Sequence, residues 1–160
     1  MSPGCAPRTR RPRRRGALVA LVGAFVLFVS HGPIGADEAA QPTLPIVELS
    51  VGGVSLAVEI ASSGEQRYMG LSFREWLAED AGMLFVYPDE RPLTFTMRNT
   101  RIPLSIAFIS EALVIDEIVD MDVGPGQLFP STRPARYALE VNQGWFERNG
   151  IEPGAKIAMP

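Results

Sequence analysis

From residue 46 onward, apolar and polar residues alternate with a period of two through most of the chain. In "VELSVGGVSLAVEI", Val47, Leu49 and Val51 alternate with Glu48 and Ser50. After Gly52-Gly53, Val54, Leu56, Val58 and Ile60 alternate with Ser55, Ala57 and Glu59. Successive side chains of a strand point to opposite faces, so the stretch predicts two strands, and the glycine pair supplies the positive φ angles of a tight hairpin. The period changes at Ser62. Ser62 and Glu65 have capping-box spacing, which predicts a short helix in "SSGEQRYMG" closed by Gly70. "LSFREWLAEDAG" is ambiguous, with Leu71, Trp76 and Leu77 able to line one face of another helical turn stopped by Gly82. "GMLFVY" reads as a buried strand ended by Pro88, and "PDER" as a turn.

"FTMRNTRIPLSIAFI" holds two further strands around a polar knot, Arg98-Asn99-Thr100-Arg101. "EALVIDEIVDMDVG" is another strand region, and the glycines and prolines of "GPGQLFPSTRP" argue against regular structure there. "ARYALEV" places Ala135, Tyr137, Leu139 and Val141 on one face and Arg136, Ala138 and Glu140 on the other. "NQGWFERNG" predicts a short helix with Asn142 near its start and Gly150 past its end, and a turn at Pro153-Gly154 leads to a last strand. Many short strands, few helices and frequent turns predict a mainly β (β-rich α+β) chain, as one antiparallel β-sandwich or distorted barrel with two or three short helices. No long amphipathic helix separates consecutive strands, which disfavours a doubly wound α/β fold.

The first 36 residues are a different material. "RTRRPRRR" carries six arginines, and Ala17 to Ser30 carries no charge. A basic stretch, an apolar run and a small-residue site at Ile34-Gly35-Ala36 make a secretory signal peptide cleaved after Ala36. The rival is an uncleaved anchor, but the run falls short of the roughly 20 apolar residues of a spanning helix. The paired arginines also leave twin-arginine export open beside the general secretory route. The expected organisation is residues 1–36 as signal, 37–45 as a flexible lead and 46–160 as one β domain, exported to the periplasm or secreted, with no stable membrane span after cleavage.

Removing the signal changes the charge. Residues 37–160 carry nine Lys and Arg against 18 Asp and Glu, a net charge of −9. Such a surface repels phosphate backbones, so nucleic acid is not an expected partner. The one cysteine, Cys5, and the one histidine, His31, both precede the cleavage point. The exported chain therefore has no disulfide, no Ser-His or Cys-His nucleophile pair and no His- or Cys-based zinc site. Neither G-x-G-x-x-G nor G-x-x-x-x-G-K-[ST] occurs, and no cofactor is expected.

"GLSFREWLAEDAGMLFVYPDERPLTFTMRNTRIPLSIAFI" followed by "PARYALEVNQGWFERNGIEPGAKI" resembles the family called domain of unknown function 192, from about Val47 to Ile157. The resemblance implies a small, largely β, often exported bacterial domain with no established activity, and it supplies no catalytic residues. The chain departs from the family pattern in four places. Thr96 stands where an aromatic is common, Arg98 where Lys is common, Ser105 where Asp is usual, and Ser110-Glu111-Ala112-Leu113 where a hairpin often carries Asp-Gly. If that Asp serves as an acid or metal ligand in the family, this chain has lost it.

The candidate ligand-binding residues are Arg98, Asn99, Thr100, Arg74 and Arg101. A guanidinium fork binds carboxylate or phosphate through two hydrogen bonds, and an Asn amide both donates and accepts. Arg67, Arg133 and Arg136 are further arginines able to join the same pocket. The plainer alternative is a turn in which Asn99 tolerates a positive φ and each arginine answers a nearby acid. Asp116, Glu117, Asp120 and Asp122 offer oxygen ligands but lack the spacing of a calcium loop, so no metal site is expected. Trp76, Trp145 and Phe146 either stack on a sugar or fill a core. The expected function is a non-catalytic envelope protein that binds a small anion or glycan fragment. The alternatives are a carboxylate-dependent hydrolase or lyase acting on envelope saccharides, and a protein-interaction module.

Overall fold

The computed structural model describes Met1, residues 39–124 and residues 126–159, so the expected signal peptide lies outside the described residues. Among the described residues no helix is long and apolar enough to cross a membrane. The chain is mainly β. Its strands are β1 (Ile46–Val51), β2 (Val54–Ala61), β3 (Ala81–Arg91), β4 (Thr94–Thr96), β5 (Leu104–Ile109), β6 (Ile115–Met121), β7 (Leu128–Pro130), β8 (Ala135–Asn142) and β9 (Ile157–Ala158). Two short helices, α1 (Gly64–Met69) and α2 (Trp145–Arg148), complete it.

Seven strands form one mixed sheet in the order β6-β5-β8-β3-β2-β1-β9, and β4 pairs with β7 as a separate two-stranded ribbon. Residues 154–157 hydrogen-bond back to the start of β6, through Gly154 N–H to Ile115 O (2.8 Å), Ile115 N–H to Ala155 O (2.9 Å) and Ile157 N–H to Leu113 O (2.9 Å). These bonds draw the two edges of the sheet together, and it curls into a half-barrel. The expectation of wholly antiparallel pairing is corrected at one place: β2 and β3 run parallel. Parallel neighbours need a crossover of a dozen residues or more, and residues 62–80, with α1 inside them, supply it.

The local predictions hold with small shifts. Gly52 and Gly53 both have positive φ (58° and 94°) in the β1–β2 hairpin. Helix α1 is capped by Ser63 rather than Ser62, and its box partner is Gln66 rather than Glu65. Residues 70–80 form turns rather than a second helix. Strand β3 runs through Pro88 to Arg91, because its register with β8 breaks between Val86 and Arg91 and no ladder bond is asked of the proline. Strand β7 lies within the segment expected to be irregular, and it pairs with β4. Leu113, at φ 60°, takes the left-handed position in the β5–β6 turn where a glycine is the usual choice. Residues 41–45, expected in a flexible lead, are tied down. Gln41 donates to Gly70 O (2.7 Å) and Leu44 N–H donates to a Glu59 carboxylate oxygen (2.7 Å).

Both faces of the sheet are covered by apolar residues. One face carries Met83, Phe85, Ile106, Phe108 and Ala138 under Phe95, Met97 and Phe129 of the ribbon and its flanks. The other carries Leu56, Val58, Leu84, Ala107, Leu139 and Val141 with Trp145 and Phe146 of α2. Trp145 and Phe146 are therefore core residues, while Trp76 is exposed. Gly82 marks the tightest packing, since a Cβ built there meets the backbone oxygen of Glu140 at 2.6 Å. Gly82→Ala is expected to destabilise the fold by about 1–3 kcal/mol, because the contact is backbone and can yield only by parting β3 from β8. A urea midpoint equal to that of the unsubstituted chain would contradict this.

Candidate functional site

A cavity of about 450 Å³ opens above the ribbon-covered face of the sheet. Helix α1 contributes Arg67, Tyr68 and Met69, and the turn after it Gly70 to Phe73. Strand β3 adds Phe85 and Tyr87, β4 adds Thr94 to Thr96, and the following loop adds Arg98, Asn99 and Thr100. Glu140 of β8 completes the lining.

Each wall has a local cause. Gly70, at φ 50°, ends α1 and turns the chain across the ring of Phe85, where an added Cβ would lie 3.2 Å from Cζ. The polar knot is a turn, with Thr100 N–H bonded to Met97 O at 3.0 Å and Asn99 left-handed at φ 64°. Phe73 is also left-handed (φ 62°), and its N–H donates to Asn99 O at 2.7 Å, which ties the two rims of the cavity together. A bulky residue in that conformation is uncommon and costs roughly 1–3 kcal/mol.

The arginines divide into two groups. Arg98 donates to the Tyr68 hydroxyl (2.7 Å) and lies over its ring, 5.6 Å from the centroid. Arg67 donates to Val86 O (2.9 Å) and Ser62 O and lies 4.7 Å from the centroid of the Tyr87 ring. Arg98, Asn99 and Thr100 thus meet in one cavity, joined by Arg67. Arg74 goes elsewhere: it forms a two-pronged ion pair with Glu59, at 2.5 and 2.8 Å, and does not line the cavity. Arg101 pairs with Glu75 in solvent, Arg136 with Glu111, and Arg133 stands 4.0 Å from Asp116.

The alternation of β8 puts Glu140 on the face of Arg136 and Ala138, and that face is buried at Ala138 and Glu140. Its cross-strand neighbours are Met83 of β3 and Ile106 of β5. Glu140 is 5 % exposed, and among the described residues nothing hydrogen-bonds its carboxyl. Burial without a partner pushes its pKa up from 4.5 to about 8, so the group is protonated at neutral pH. The same burial raises the Tyr87 phenol, with Glu140 adding to the effect and Arg67 opposing it. Glu59, in the same row beyond Met83, ends differently. Burial pushes its carboxyl up, but the hydrogen bonds from Arg74 and Leu44 N–H and the Arg74 charge outweigh it, and the group is held below its usual value. The signal missed in the sequence was a lone acid at the centre of a strand whose two faces both carry apolar residues.

Ser105, in place of the family's usual Asp, faces the other side of the sheet. It accepts from Gly144 N–H (2.8 Å) and donates to Asp120, which anchors the start of α2. Its departure from the family pattern leaves the cavity untouched. The acids of β6 and its end have structural partners: Thr132 N–H for Glu117 and the Gln143 amide for Asp122.

The model of the family domain of unknown function 192, described as "Uncharacterized ACR", matches residues 47–159. The chain belongs to this family. Two crystal structures share the family-like fold. A protein of unknown function from Novosphingobium aromaticivorans DSM 12444 is 32 % identical with a TM-score of 0.67, over 79 % of this chain and 99 % of that one. A candidate transcription regulator from Sinorhizobium meliloti 1021 is 30 % identical with a TM-score of 0.70, over 74 % of this chain and 97 % of that one. No curated protein matches. The family's description carries no activity, so the chemistry of the cavity has to be argued from its own residues.

Proposed function

We propose that this member of the family is an exported envelope protein that binds a small anion or glycan fragment in the cavity between α1, β3, β4 and the 97–103 loop. One observation carries the reading: Arg67, Arg98, Asn99 and Thr100 converge on one concavity of about 450 Å³, the size range of small-molecule sites. The basic stretch and apolar run at the start of the chain support export. The S. meliloti relative raises DNA as a partner, but a net charge of −9 over residues 37–160 opposes a phosphate backbone. A thermal-shift screen of anions and oligosaccharides against the purified protein and an Arg98→Ala, Asn99→Ala variant tests the reading. A compound that raises the melting temperature of the first and not of the second is the expected result. No shift with any compound would count against it.

The buried Glu140 favours a second reading, a carboxylate-dependent hydrolase or lyase, since perturbed acids gather at catalytic sites. Glycoside hydrolysis commonly needs two carboxylates, however, and Glu140 is the single acid among the lining residues. Release of new reducing ends from acidic oligosaccharides would establish the enzyme, and none is expected.

A further inference from the structure

We infer that the cavity is selective for a small hydroxylated organic oxyanion, a sugar acid being the type, with the buried Glu140 carboxyl as a hydrogen-bonding group in its lining. The inference rests on the binding reading above and names the ligand class for that site. It stands on a tally of donors, acceptors and charge. Arg98 spends one Nη2 bond on the Tyr68 hydroxyl and keeps the rest of its fork for a ligand. The Tyr68 hydroxyl, accepting from Arg98, has its own proton to give. Arg67 commits Nη1 to backbone carbonyls, and its charge remains at the wall. Thr100 and Asn99 add a hydroxyl and an amide. The lining therefore holds two guanidinium groups and one acid whose burial favours its protonated form, and it carries a positive charge within an acidic chain. A neutral sugar leaves that charge uncompensated. Inorganic phosphate satisfies it but leaves the apolar wall of Leu71, Phe85 and Phe95 and most of the 450 Å³ unused. A carboxylate on Arg98 with hydroxyls reaching Asn99, Thr100 and Glu140 uses every part.

Glu140 also makes the site answer to pH. The other charged or titratable groups of the lining are Arg67 and Tyr68 of α1, Tyr87 of β3 and Arg98 of the loop, and burial alone raises the Glu140 carboxyl. Glu59, with Arg74, lies on β2 beyond Met83, while β5 presents Ile106 and β6 Val119 in the same row. None of these bonds the carboxyl, so it ionises freely once pH exceeds about 8. Its new charge then repels a bound anion. Anion binding and the Glu140 proton support each other, and binding near pH 8 takes up a proton.

The test is calorimetric titration of the protein with D-galacturonate, D-galactose and inorganic phosphate at several values between pH 6 and pH 9.5, repeated on Glu140→Gln and Arg98→Ala. Galacturonate should bind at least about tenfold more tightly than galactose or phosphate at pH 6, as expected for a paired charge-assisted contact. Its affinity for the unsubstituted protein should fall by up to about tenfold per pH unit above pH 8, the limit for one linked proton. Glu140→Gln, with a permanently neutral donor, should show an affinity level across the range, and Arg98→Ala should lose the heat of binding. Equal affinity for galactose, or phosphate binding alone, overturns the ligand class and leaves a binding cavity standing. The same pH profile in Glu140→Gln overturns the role of Glu140. No binding of any of the three, or binding unaltered in Arg98→Ala, overturns this inference, and the second result removes the cavity reading as well.

Discussion

Glu140→Gln is expected to stabilise the fold by about 3 kcal/mol at pH 8 and to give nothing at pH 4.5. In the folded chain the carboxyl sits between Met83 and Ile106 without a partner, and its pKa rises from 4.5 to about 8. A group whose folded pKa is raised binds its proton more tightly when folded. Its contribution is fully present below pH 4.5 and drains away as pH rises towards 8, at about 1.4 kcal/mol per pH unit. Glutamine keeps the shape and the hydrogen-bonding capacity and removes the titration, although burying its amide returns part of the gain. Urea unfolding of both proteins at pH 4.5, 6 and 8 measures this directly. Parallel stability curves across the range would mean that Glu140 is ionised and paired in solution. A stability gain from removing a buried acid also marks the residue as one kept for something other than folding, which agrees with its place in the cavity.

The second large effect has the opposite sign. Arg74→Met should cost about 3–5 kcal/mol at pH 7, because it strands an ionised Glu59 in a buried setting. The Glu59 side chain is 8 % exposed, and Arg74 supplies two of its hydrogen bonds. The folded carboxyl lies below its usual value, so in the unsubstituted chain its contribution is present above pH 4.5 and lost as pH falls through the folded pKa. In Arg74→Met the lowering contacts from Arg74 are gone and burial pushes the group up, so the variant should recover relative stability towards pH 4. Adding Glu59→Gln to Arg74→Met should return most of the loss, as two contacting residues are coupled rather than additive. A cost below about 1 kcal/mol for Arg74→Met alone would reduce the pair to an ordinary surface contact. The opposed titrations of Glu59 and Glu140 make the combined contribution of these two groups greatest just below pH 4.5.

Much of the fold was legible because it is written in local chemistry. Gly52-Gly53 between two runs of period two specifies a hairpin, the capping-box spacing signals α1 one residue early, at Ser62 and Glu65 rather than Ser63 and Gln66, and Gly70 ends it. The wording from about Val47 to Ile157 carried the resemblance to the family, and the family model matches residues 47–159. In the candidate site, Arg98, Asn99 and Thr100 stood out as a cluster of donors on one turn, a property of adjacent residues. Arg74 was as good a candidate by type, and only the tertiary structure folds the crossover so that it reaches back to Glu59 of β2.

The sequence by itself determined most of the strands and turns, β7 and the end of β3 excepted, and which residues of a strand share a face, since these follow from φ preferences and the two-residue repeat of a pleated chain. The tertiary structure alone decided that β2 lies parallel to β3, that β4 takes β7 as its partner, and that the ribbon covers the face holding Glu140. Alternation separates one face of a strand from the other but does not tell whether water or another layer lies over each. That is settled by contacts between segments far apart in the chain, and here it makes the difference between a solvated acid and a protonated one in the wall of a cavity.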